Sequence, residues 1–328
     1  MNKRVYINSM AQVSCQQPLS DDWLSSPCVY SEAYVRAIEP DTKGLIVPSE
    51  ARRMSKILKR TVCTAITALN NSDVQQPDAI ITGTGMGCME NSEKFLIDMS
   101  RFGENCLKPT LFMQSTHNTI SSLIAIILKC HGYNSTYSHK GISFESALLD
   151  AWLQIRRGDI SNALTGSHDE VTPFMALVMQ RTHPEYSFVS ETSMSAVLTS
   201  RPGERNICEV ASVEILYRPD IDLLADRLAD DSALMLGVNG NEANDAPYTQ
   251  LLELLGHTPA LLQYKNIFGE NFSSPAMAFY AAATLLGGAA VPQHMLYGAT
   301  DGCANPETIT IVNHSDTNCW SLIRLKKI

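Results

Sequence analysis

The 328-residue chain has no Cys-x-x-Cys pair, no histidine cluster at ligand spacing, no long apolar run and little basic charge. Each absence excludes something. Nine cysteines are scattered at 15, 28, 63, 88, 106, 130, 208, 303 and 319. Without paired spacing they do not build a zinc site, and no metal or other cofactor is expected. Their odd number and wide separation fit reduced thiols in a cytoplasmic protein, each a small core residue. No window approaches the roughly 18 apolar residues of a membrane span. The N-terminal MNKRVYINSM carries positive charge but no long apolar stretch and no small-residue cleavage site, so a secretory signal is not expected. The net charge of -9 argues against nucleic acid, because phosphate binding needs a basic face. Lys326 and Lys327 make only a short basic tail.

What is present fits a folded protein with a sizeable core: 45% hydrophobic and 18% charged residues, over a length that suits about two domains. The most organised stretch is 134–170. A short extended run at 135–138 meets a tight turn at His139, Lys140 and Gly141. A helix follows, with Phe144, Ala147, Leu148, Ala151, Trp152 and Ile155 on one face. Arg156, Arg157 and Gly158 end it, cations and a glycine at the C-terminal end. A strand at 161–166 completes a β-turn-α-β unit. Such a turn can mount a nucleophile at a helix N-terminus. Here it offers lysine and glycine, and no cysteine.

In chain order, 4–8 begins a first strand, 14–47 reads as a surface connection and 49–70 as a helix. Its apolar face is Met54, Ile57, Leu58, Ala65, Ile66 and Leu69. A buried strand at 78–82 runs into Gly83-Thr84-Gly85-Met86-Gly87. This run lacks the lysine and serine of a phosphate loop and has GxGxG spacing, so a turn needing backbone freedom is the better reading. Helices are expected at 95–102, 118–129, 221–228, 248–255 and 275–286. Extended segments are expected at 109–115, 195–199, 209–217, 234–238, 261–264, 308–313 and 320–325. Their alternation predicts a layered α/β protein with parallel strands.

The order RVYINSM, SEARRMSKILKRTVCTAITAL, GTGMG, SALLDAWLQIRRGDISNALTGSHDE, ETSMSAVLTS, GVNGNEANDAPY and YKNIFGENFSSPAMA resembles the β-ketoacyl-acyl carrier protein synthase family. The resemblance covers nearly the whole chain and is most specific in the central unit. It implies a thiolase-like layered α-β-α-β-α fold of two similar halves with mixed, largely parallel sheets. Residues 1–200 would form the N-terminal half, carrying the nucleophile turn, and 201–328 a shortened C-terminal half.

The family takes an acyl chain on a cysteine and uses two histidines to decarboxylate malonyl-carrier protein and stabilise negative charge. By the resemblance, the cysteine position falls on Lys140 or Gly141, the first histidine at or near Asn239 and the second on Glu270. The family lysine matches at Lys265. Neither lysine nor glycine forms the thioester, and a carboxylate at Glu270 opposes an oxyanion. Interdependent groups lost together cost far more than one alone. Independent condensation is therefore not expected.

The chain looks most like the short chain-length-factor-like subgroup that lacks the nucleophilic cysteine and pairs with an active ketosynthase in fatty acid, polyketide or aryl-polyene biosynthesis. This implies a heterodimer, or a homodimer without the partner, meeting around the apolar segment 111–128, and dealings with acyl carrier protein. Two other functions stay open. One is an acyltransferase or hydrolase using Ser138 or Ser143 with His139; the other is a stand-alone acyl or carrier-protein binding module, with Arg52, Arg53, Lys56 and Lys59 as its basic patch. Ser138 and Ser143 also suit capping of the helix near Phe144, and Lys265 suits an ion pair with Glu270. His117 and Asn118 are candidates to face a partner's cavity. Met113 and Met175 suit an acyl tunnel or simple gap filling.

Overall fold

The computed structural model describes residues 2–104, 107–298, 305–315 and 318–328; Cys106 and Cys303 lie outside the described residues. The first part of the chain forms β1 (Tyr6–Val13), α1 (Pro48–Ala51), α2 (Lys56–Asn70), β2 (Ala79–Gly83), α3 (Met89–Phe102), α4 (Pro109–Met113) and α5 (Thr119–Leu128). It continues with β3 (Tyr133–Tyr137), α6 (Ser143–Arg157), β4 (Asn162–Asp169), α7 (Pro173–Thr182) and β5 (Thr192–Thr199). Then come β6 (Cys208–Tyr217), α8 (Ile221–Leu228), β7 (Ala233–Leu236), α9 (Glu242–Leu254) and β8 (Ala260–Gln263). Last are α10 (Lys265–Phe268), α11 (Ser274–Leu286), β9 (Thr308–His314) and β10 (Cys319–Lys326).

The strands lie in the order β3-β2-β4-β5-β1-β6-β10-β9-β7-β8. Outward from the centre, the second five repeat the pattern of the first five. The two sets meet where Tyr6 and Ile7 of β1 pair with Glu209 and Cys208 of β6. Parallel pairing joins β2 to β3 and β4, and β7 to β8 and β9. The pairs β4–β5, β5–β1, β1–β6, β6–β10 and β10–β9 are antiparallel. The mixed, two-halved sheet is as expected; its pairs are not largely parallel, because the central strands run against one another. β10, for one, follows β9 with no room for a crossover helix, and only antiparallel pairing fits so short a connection.

Burial defines the layers. On one outer face, Ala65, Ala68 and Leu69 of α2 and Ile124 of α5 cover Ile80, Leu164 and Val197. On the other, α8 and α9 cover Leu234, Leu236, Val312 and Leu322. Between them, α6 packs on β2, β4 and β6, and α11 on β1, β5, β9 and β10. Phe144 of α6 meets Phe279 of α11 edge to face at 5.4 Å. α11 is buried along nearly its whole length, which is why its sequence is apolar on every side. Gly158 caps α6 with φ +85, the left-handed conformation that glycine adopts freely.

Two local expectations need correction, and one helix comes in addition. Residues 109–115 are not extended: Pro109 opens the short helix α4, a position where its missing N–H costs nothing. The helix expected over 49–70 is broken at 52–55 into α1 and α2. Residues 173–182 form α7, capped by Thr172, whose side chain accepts from Met175 N–H. Among the described cysteines, Cys15, Cys63, Cys88, Cys208 and Cys319 are buried, Cys130 is half-buried and Cys28 is exposed.

Candidate functional site

β3 and α6 are joined by the turn that the sequence singled out. Lys140 takes φ +52, a left-handed conformation that costs a non-glycine residue about 1 kcal/mol or more. Ser138, His139 and Lys140 are exposed, whereas Ser143 is fully buried. The Ser143 hydroxyl lies 2.7 Å from Lys140 O and 3.1 Å from Thr84 O, and it accepts from His139 N–H at 2.9 Å. These bonds tie the turn to the glycine run and leave Ser143 a structural group. The His139 ring pairs with Ser146, at 3.0 Å from Nδ1 to Oγ, and with neither Ser138 nor Ser143. Ser146 donates to Ile142 O at 2.8 Å. His139 Nδ1 is then the donor to Ser146. Helix α6 has no side-chain cap, so the capping expected of Ser138 and Ser143 is replaced by these turn contacts.

The glycine run is a structural loop pinned by one carboxylate. Asp169 accepts from Thr84 Oγ1 (2.8 Å), Gly85 N–H (3.0 Å), Met86 N–H (2.9 Å) and Ser273 Oγ (2.6 Å). Burial pushes the Asp169 carboxyl upward, and these donors oppose that shift. A Cβ on Gly83 would sit 2.5 Å from Ser143 O, and one on Gly85 2.3 Å from Phe272 Cβ. Close backbone approach therefore explains both glycines, without a phosphate.

Asn239, Lys265 and Glu270 come together. Glu270, 2% exposed, accepts from Asn239 Nδ2 (2.7 Å) and Ser187 N–H (3.0 Å) on Oε1 and from Lys265 Nζ (3.1 Å) on Oε2. The expected Lys265–Glu270 ion pair is present. Lys265 also reaches Asn244 Oδ1 at 3.5 Å, and Asn239 donates to Glu185 O at 2.7 Å. A cavity of about 250 Å³ opens above this group, lined by Gly141, His183, Glu185, Asn244, Asn313 and His314 among others. His183 Nδ1 lies 2.9 Å from Glu185 Oε1, and its ring stacks on Tyr186 at 4.8 Å. Burial pushes His314 down; its Nε2 lies 3.0 Å from Asn244 O.

Beneath the cavity, fully buried Glu145 spans the two halves. Its Oε1 accepts from Ser321 Oγ (3.0 Å) and Asn313 Nδ2 (3.4 Å), while Oε2 has no partner. Burial pushes its carboxyl up to about 7. His117 and Asn118 are exposed, with His117 packed against Gly87. Met113 is exposed on α4, and Met175 is half-buried against the cluster around Met86 and Val171. Among the described residues, no three His, Cys, Asp or Glu side chains gather as a metal site requires. Sequence reasoning missed Ser187, Asn244 and the His183–Glu185 pair. Only the short His-Pro-Glu spacing of the last was visible locally; the others act through distant partners.

The strand-turn-helix elbow thus faces a polar cavity between two similar halves. The family model "Beta-ketoacyl synthase, N-terminal domain" matches residues 31–211, more than half of the chain, and the protein belongs to the β-ketoacyl synthase family. No curated protein matches it. Among solved structures, it resembles a chain from the complex of a type II polyketide acyl-carrier protein with its ketosynthase (AntDE:AntF), at TM-score 0.83 and 13% identity over all of both chains. It also resembles the ishigamide ketosynthase/chain length factor, at 0.77 and 16% over all of both chains. A third is the ketosynthase ApeO in complex with its chain length factor ApeC from Xenorhabdus doucetiae, at 0.76 and 13%, over 99% of this chain and 98% of that one.

Proposed function

We propose that this chain is a non-condensing, chain-length-factor-type partner of an active ketosynthase, working with acyl carrier protein in fatty acid, polyketide or aryl-polyene type biosynthesis. The observation that carries the reading is the composition of the elbow and the groups across from it. Lys140 and Gly141 offer no thiolate, and Glu270 presents a carboxylate already bound to Asn239, Ser187 and Lys265. On this reading Asn239 and Glu270 stand at the family's histidine positions, Lys265 at its lysine, and residues 1–200 and 201–328 are the two ketosynthase-like halves. A cytoplasmic location belongs to the same reading; no helix among the described residues is long and apolar enough to cross a membrane.

The surface beside the elbow suits an obligate partner. β3 pairs with β2 on one side and ends the strand order on the other, and open strand edges are pairing sites. Nearby α4 and α5 expose Phe112, Met113 and Ile126, and β3 exposes Tyr133. Burying such side chains favours a stable complex over a transient one. His117, Asn118, Ser138 and His139 are exposed on the same stretch of chain and are proposed to face the partner.

Co-expression with a ketosynthase encoded nearby tests this. The expected result is a one-to-one complex in which a reactive acyl thioester labels only the ketosynthase's cysteine. A clean monomer at micromolar concentration with and without that partner, or an acyl adduct on this chain alone, overturns it.

A further inference from the structure

The strap at 183–190 lies over the cavity and is fastened to Glu270 and its neighbour. Ser187 N–H and Asn239 Nδ2 both donate to Glu270 Oε1, and Asn239 Nδ2 also holds Glu185 O. The Glu270 backbone adds two bonds, accepting from Ser190 N–H and donating to Phe188 O. Lys265 Nζ closes the other carboxylate oxygen. Three convergent donors, one of them an ammonium, around an almost fully buried carboxylate form the arrangement that recognises a small carboxylate ligand.

We infer that Glu270 is a built-in occupant of a carboxylate-binding site, and that the site made by Asn239, Lys265 and Ser187 N–H takes a small free carboxylate once the Glu270 side chain is removed. In the intact protein these donors already hold the Glu270 carboxylate, which fills the place an incoming carboxylate would take. Glu270 is thus a positioning residue for the strap. The site is defined by its geometry alone, whether or not the chain pairs with a ketosynthase.

The test uses Glu270→Ala in the full chain, with amide hydrogen exchange of 184–190 followed by mass spectrometry. Loss of the bonds to Oε1 is expected to speed exchange there about tenfold or more. Formate or acetate should restore protection saturably, while chloride at equal ionic strength and ethylammonium should not. Absence of any carboxylate effect, or equal protection by chloride, overturns the proposal. If Glu270→Ala folds only with formate present, the proposal is supported. If it does not fold at all, Glu270→Met decides: it roughly keeps the volume but offers no acceptor oxygen to Ser187 N–H or Asn239 Nδ2, and exchange in the strap as slow as in the unaltered protein overturns the positioning role.

Discussion

Replacing Glu145 by glutamine should remove a pH dependence that the fold builds in. The carboxyl is fully buried on α6, holds Ser321 and Asn313 of the other half through Oε1, and leaves Oε2 without a partner. Burial, opposed by those hydrogen bonds, pushes it from 4.5 to about 7. The folded protein therefore keeps this proton to higher pH than the unfolded chain does. Between about pH 4.5 and 7 the unfolded chain ionises first, so folded-state stability falls as pH rises and levels off above about 7. The full difference is about 3 kcal/mol. Glu145→Gln cannot ionise and escapes that loss. Its stability relative to the unaltered protein should rise by about this amount from about pH 4.5 to 8. Denaturant titrations of both proteins across this range measure it as a difference, in which Glu170, also pushed up to about 7 by burial, is common to both. A difference that stays constant with pH would refute the reasoning.

Four further outcomes are expected. Gly85→Ala should lower stability by about 1–3 kcal/mol in thermal denaturation, because its Cβ meets Phe272 at 2.3 Å. Asp169→Ala strips one acceptor from Thr84, Gly85, Met86 and Ser273 and should cost about 3 kcal/mol or more in chemical denaturation. Among the described cysteines, exposed Cys28 should react with a thiol reagent in the native protein. Cys15, pushed up to about 12, and Cys63, to about 11, should react only after unfolding, as peptide mapping would read. Ile126→Glu, on an exposed side chain, should change the isolated chain's stability by no more than about 0.5 kcal/mol while abolishing the proposed ketosynthase complex in co-purification.

The parts legible in the sequence were those set by local periodicity. The apolar face of α6, the alanine-rich α11 and the strand-turn-helix around Lys140 all follow from spacing over a few residues. α4 escaped because so short a helix shows no period, and α7 because its start at Pro173 resembles a turn. Strand direction escaped too: the antiparallel pairing of β1 with β5 joins Tyr6 to Thr199, which no local pattern records. The same limit applies at the site. The Lys265–Glu270 pair lies within one short segment and was visible, whereas the bond from Ser187 N–H to Glu270 and those from Ser321 and Asn313 to Glu145 depend on how distant segments pack.

Lys140 holds the elbow's left-handed backbone, with φ +52. Glycine would adopt that conformation without the penalty of about 1 kcal/mol that lysine bears. The turn's path is therefore kept by what surrounds it, by Ser143 reaching Thr84 and by Tyr137 O receiving Thr84 N–H, more than by the residue at its apex. An elbow sustained in this way is a mounting point independent of its fitting: a new side chain can be installed at position 140 without the scaffold having to be rebuilt around it.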